Sequence, residues 1–104
     1  VPTDAPTSPR VPTVFALERN VPNPFNPVTT LRFAVPRTSE VSLRVYDARG
    51  RQVNTLVDGT LEAGYQQVRW DGRDARGDVV ASGVYFARMV ADDFVQTQKM
   101  LLSK

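Results

Sequence analysis

The 104-residue sequence contains neither cysteine nor histidine. Without cysteine there is no disulfide to staple a fold and no thiolate to act as nucleophile or ligand. Without histidine the usual general base and the usual metal-binding nitrogen are missing as well. A Ser-His-Asp arrangement is therefore impossible, whatever Ser82 and Ser103 do. Zinc would need an all-carboxylate shell, which it rarely accepts. The remaining acids Glu62, Asp71, Asp74, Asp78, Asp92 and Asp93 fall in turn-like stretches, where aspartates usually bond their own backbone. Composition thus argues against an autonomous enzyme and implies no cofactor.

Two further features are scarce. No apolar run approaches the ~20 residues of a membrane-spanning helix, and the amino terminus lacks the charged-then-apolar pattern of a signal peptide. The formal net charge is only +2, and its arginines alternate with Asp and Glu instead of forming a basic block. No nucleic-acid partner is expected from such a surface.

What is present begins with proline. Residues 1–13 carry Pro2, Pro6, Pro9 and Pro12 among small polar residues, which reads as an extended linker. A linker that leads, in a chain that starts at valine, suggests a module from the carboxyl-terminal side of a larger protein. Residues 14–104 show a period-two apolar pattern and no convincing helix. Phe15, Leu17 and Val21 suit a short edge strand. Leu31, Phe33 and Val35 share one face of a strand over residues 29–35, and Val41, Leu43 and Val45 do so over residues 41–46. A turn ending at Gly50 should precede a strand over residues 52–56, closed by Asp58-Gly59. A strand over residues 65–70 leads into the polar loop 71–78. The stretch 84–90 is apolar on both faces, as in a central strand with a covered back. Asp92-Asp93 should turn the chain into a last strand with Met100 and Leu102 inward. About seven short strands between Gly, Asp and Pro turns describe an all-β, antiparallel immunoglobulin-like sandwich.

Three local features could carry function. Asp71, Asp74 and Asp78 offer oxygen ligands suited to calcium, but Arg73 and Arg76 lie between them, and a turn with surface ion pairs is the preferred reading. Trp70, Tyr46, Tyr65 and Tyr85 could form a sugar-stacking platform, although a lone Trp usually gains more from burial. The segment Pro22-Asn23-Pro24-Phe25-Asn26-Pro27 should form a rigid corner with Phe25 as an apolar plug, and it could serve as a recognition epitope.

That segment, with Thr29 to Phe33 and Val35-Pro36 after it, resembles the opening of type A carboxyl-terminal sorting domains of the type IX secretion system. The resemblance continues through Val45 to Val53, Ala63-Gly64-Tyr65, Ser82-Gly83-Val84-Tyr85 and Gln98 to Leu102. Trp70 to Asp74, Gly77 and Ser82 to Tyr85 are also similar to the Ig-like domain of the flagellar hook-capping protein. The first resemblance implies a secreted or cell-surface location and a non-catalytic role in directing a larger protein, an enzyme, out of the cell or onto its surface. Its implied partners are the outer-membrane secretion machinery or cell-surface components, together with the parent-chain domain upstream. Carried over by position, the recognised residues would be Pro22, Asn23, Pro24, Phe25, Asn26, Pro27, Gly50, Gly64, Gly83, Tyr85 and Lys99. The alternatives are a carbohydrate-binding module of a glycoside hydrolase and a structural Ig-like spacer or assembly domain.

Overall fold

A computed structural model describes residues 11–104; the linker expected over residues 1–13 lies mostly outside the described residues. Among the described residues seven strands form two antiparallel sheets: β1 (Ala16–Leu17), β2 (Thr29–Val35), β3 (Ser39–Asp47), β4 (Gln52–Leu61), β5 (Gly64–Trp70), β6 (Gly83–Ala91) and β7 (Phe94–Leu102). One sheet has the order β1-β2-β5 and the other β4-β3-β6-β7. The expected immunoglobulin-like sandwich is the fold observed.

Alternation decides which face each strand buries. Leu31, Phe33 and Val35 of β2 face Val41, Leu43 and Val45 of β3, and all six are buried. Tyr85, Ala87, Met89 and Ala91 of β6 and Met100 and Leu102 of β7 complete the layer between the sheets. Each buried aliphatic side chain contributes about 1.5–3 kcal/mol relative to an exposed one. The hairpin from β6 to β7 turns through Asp92-Asp93, with Asp92 at φ 52°. Short polar side chains tolerate that left-handed conformation, which explains an aspartate there.

Three strand readings are corrected. The first edge element is only two residues long, and Val21 instead forms an isolated bridge with Thr30. Asp58-Gly59 does not end β4, which continues to Leu61 with Asp58 opposite Ser42 and Gly59 opposite Val41. The nine-residue β3 offers a full ladder of partners, which outweighs the turn preference of Asp-Gly. Two irregularities in register, between Leu43 and Arg44 and between Val45 and Tyr46, let the longer β4 keep pace. The back of β6 is not covered: Val84, Phe86 and Val90 are half-buried and Arg88 is exposed. Their partial burial comes from neighbours on the same sheet face, without a third layer.

Leu43→Ala, at a fully buried position, is expected to lower the unfolding free energy by about 2–5 kcal/mol in chemical denaturation. Arg32→Ala, on the solvent side of β2, should change it by less than about 0.5 kcal/mol. Similar losses at both positions would contradict the assignment of faces.

Candidate functional site

The proline segment closes one end of the sandwich. Val21 and Thr30 exchange backbone hydrogen bonds of 2.9 Å, so the loop between them leaves and rejoins the start of β2. Inside the loop the Pro22 carbonyl accepts from the Thr29 hydroxyl at 2.8 Å and the Asn20 amide at 3.2 Å. Asn20 Nδ2 also reaches Thr29 Oγ1 at 3.0 Å. Buried Asn20 and Thr29 thus brace the corner from below, a role that their scattered positions in the sequence do not signal.

The corner is clasped onto the outer edge of β7. Asn23 Oδ1 accepts from the Leu101 amide at 3.0 Å, while Asn23 Nδ2 lies 3.4 Å from the Lys99 carbonyl. The Phe25 amide donates to Leu101 O and the Ser103 amide donates to Phe25 O, both at 2.9 Å. The Asn23 side chain here imitates a backbone amide and occupies groups that an edge strand leaves open. Phe25 is the expected plug: it is buried, with its ring centroid 5.5 Å from that of Trp70. Trp70 in turn meets Tyr85 edge-on at 5.2 Å.

Polar tips anchor this aromatic row. Trp70 Nε1 donates to the Arg73 carbonyl at 2.9 Å, and the Tyr85 hydroxyl donates to Ala81 O at 2.6 Å. Burial raises the Tyr85 pKa, and the nearby charge of Asp47 adds to this. Trp70 is 1% exposed and Tyr85 6%, so the sugar platform is not formed; Tyr65, 60% exposed, lies at the opposite end of β5 from Trp70. Gly72 was missed as a site residue. Its φ is +73°, and a Cβ there would sit 3.3 Å from Pro27 O and 3.5 Å from Leu102. Only glycine lets the loop after β5 approach the corner so closely.

The residues singled out from the sequence separate into groups. Pro22 to Pro27 and Lys99 meet at the clasp, with Pro22, Pro24, Asn26 and Pro27 exposed. Tyr85 joins them through Trp70, and Gly83, opposite Leu102, lies at the same end. Gly50 sits in the turn after β3 at φ +85°. Gly64 pairs with Val35, at the end of β2 remote from the corner. The three aspartates of the polar loop do not converge. Asp74 Oδ1 accepts from the amides of Arg76 and Asp78 at 2.9 and 3.0 Å, and Asp71 lies 3.8 Å from Arg73. Among the described residues no group of three potential ligands is placed to hold a metal; Asp74 and Asp78 close the turn on each other.

The profile of the FlgD Ig-like domain matches residues 26–93. The chain belongs to that family. Similar solved structures show the same fold within larger proteins. PorU from Porphyromonas gingivalis superposes with a TM-score of 0.65 at 22% identity, over 80% of this chain and 9% of PorU. PorZ from the same organism gives 0.57 at 22%, over 86% and 11%. FlgD from Xanthomonas campestris gives 0.59 at 25%, over 85% and 64%. The chain therefore spans only about a tenth of PorU or PorZ, and at that identity the likeness speaks to the fold. No curated protein sequence matches significantly.

Two outcomes follow. Asn23→Ala should cost about 1 kcal/mol and speed hydrogen exchange at the Leu101 amide; unchanged exchange would mean that the clasp does not hold β7. The second concerns the turn after β3. The amide of Arg51 donates to Asp47 at 2.9 Å and holds its carboxyl below the ordinary value of 3.8. Burial opposes this, and the Arg49 amide and Arg51 side chain add to it. A depressed folded pKa stabilises the native state above the ordinary value, and this is lost as pH falls through the folded one. Asp47→Asn should therefore melt lower near neutral pH yet lose less melting temperature between about pH 5 and pH 2. Equal acid slopes would show that the turn does not depend on the carboxylate.

Proposed function

We propose that residues 14–104 form a non-catalytic address and attachment module, joined by the linker 1–13 to a larger exported bacterial protein. In this reading an outer-membrane apparatus of the type IX class recognises the proline corner together with the last strand. The observation that carries it is the clasp: the Pro22–Pro27 segment and Lys99, far apart in sequence, form one continuous surface at one end of the fold. The exposed Pro24 and Asn26 contribute nothing to the core, which leaves them free to be read from outside. The motif series resembling sorting domains supports the same view. So does the fold shared with PorZ, described as an essential bacterial surface component of the type-IX secretion system.

The test is a fusion of residues 1–104 behind a reporter that carries its own signal peptide, expressed in a type IX-competent host. The reporter is expected on the cell surface or in the medium, and Pro24→Ala with Asn26→Ala should trap it in the periplasm without changing the melting temperature. A parent fusion that stays in the periplasm would overturn the proposal.

One observation favours a second reading. The chain belongs to the FlgD Ig-like family, and the structure of FlgD from Xanthomonas campestris is described as giving insights into the hook capping essential for flagellar assembly. A structural assembly domain of that kind should self-associate in sedimentation and leave the reporter unexported.

A further inference from the structure

The outer face of the four-stranded sheet holds an arrangement that folding alone does not call for. Arg44 on β3 and Arg88 on β6 stand directly opposite each other, on the two central strands. Directly opposed residues of an antiparallel pair point to the same side, and like charges so placed destabilise the sheet. Arg44 has Asp58 at 3.9 Å, a long and exposed contact worth little. Among the described residues neither Arg88 nor Lys99 has an ion-pair partner.

In the next row Tyr46 faces Phe86, and Phe86 faces Lys99 on β7. Both rings are half-buried, and with Arg88 and Thr97 they line a shallow depression bounded by the turn at Ala48 and Gly50. Gln52 stands opposite Tyr46, Thr55 opposite Arg44 and Thr97 opposite Arg88; the acid that also lines the depression, Asp47, has its carboxylate engaged by the amides of Arg49 and Arg51 and by the Arg51 side chain. The exposed aliphatics Val95 and Leu101 lie on the outermost strand, away from the centre. The middle of the face is charged and aromatic, with hydroxyls and amides around it.

We propose that this face binds an acidic polysaccharide. A uronate carboxylate bridging Arg44 and Arg88 would relieve their repulsion through charge-assisted hydrogen bonds. The adjoining sugar ring would lie on Tyr46 and Phe86, and Lys99 would meet the next acidic residue. The corner uses only the backbone of Lys99, so its side chain is free for this second role. The site shares Lys99 with the secretion reading but does not rest on it, and it is distinct from the Trp70 platform, which burial excludes.

Titration of nitrogen-15-labelled chain with hexagalacturonate should shift the amides of Arg44, Tyr46, Phe86 and Arg88. Arg88→Gln should weaken binding about tenfold or more and, by removing an opposed charge, raise the melting temperature. Tyr46→Ser should weaken hexagalacturonate while leaving any binding of hexaglutamate unchanged, and neutral cellohexaose should bind far more weakly than the acid. Shifts absent from this face, equal affinity for hexaglutamate, or a lower melting temperature for Arg88→Gln would each overturn the proposal.

Discussion

With no disulfide between them, the two sheets stay together chiefly because apolar side chains from each interdigitate across the gap. Everything else in the domain is arranged around that constraint. Strand alternation fills the middle of the layer with Leu, Val, Met and Phe, but an open-ended sandwich would leave water at its ends. At one end the row Phe25, Trp70 and Tyr85 closes the layer, each ring supplying large apolar area. The indole and phenol tips reach backbone carbonyls, so no buried donor is stranded.

The same end resolves the problem of exposed strand edges. On the β1/β7 side, Gln96 exchanges side-chain hydrogen bonds with both the amide and the carbonyl of Leu17, while Asn23 and Phe25 occupy β7 further along. Side-chain amides thus stand in for a missing strand, one of several ways in which sheets avoid unwanted pairing. This leaves the domain two kinds of accessible surface: a stiff corner made of prolines, and a broad sheet face dotted with charge.

Much of this architecture was readable from alternation alone. The inward faces of β2, β3 and β7, the turn at Asp92-Asp93 and the burial of Phe25 all follow from apolar spacing and turn chemistry. The extension of β4 through Asp58-Gly59 was not readable, because its partner β3 decides it and local preference does not. The open back of β6 was hidden for a related reason: Val84, Phe86 and Val90 look like core residues until the sheet is seen to have neighbours only alongside. Within the corner, the prolines announced themselves, whereas Asn20, Thr29 and Gly72 did not. Their importance arises from contacts over long sequence separations, such as Gly72 against Pro27, which no local pattern encodes.

The clasp has a consequence for how the domain comes into being. Its partners are Asn23 and Phe25 on one side and Leu101 and Ser103 on the other. During synthesis the corner therefore emerges long before the segment that secures it, and loop closure over such a span is entropically costly. A nascent chain still short of Leu101 leaves Asn23 Oδ1 and the Phe25 N–H without these partners. The clasp forms only once the Leu101–Ser103 segment has left the ribosome, so any factor that reads the clasped corner also reads that translation has passed that segment.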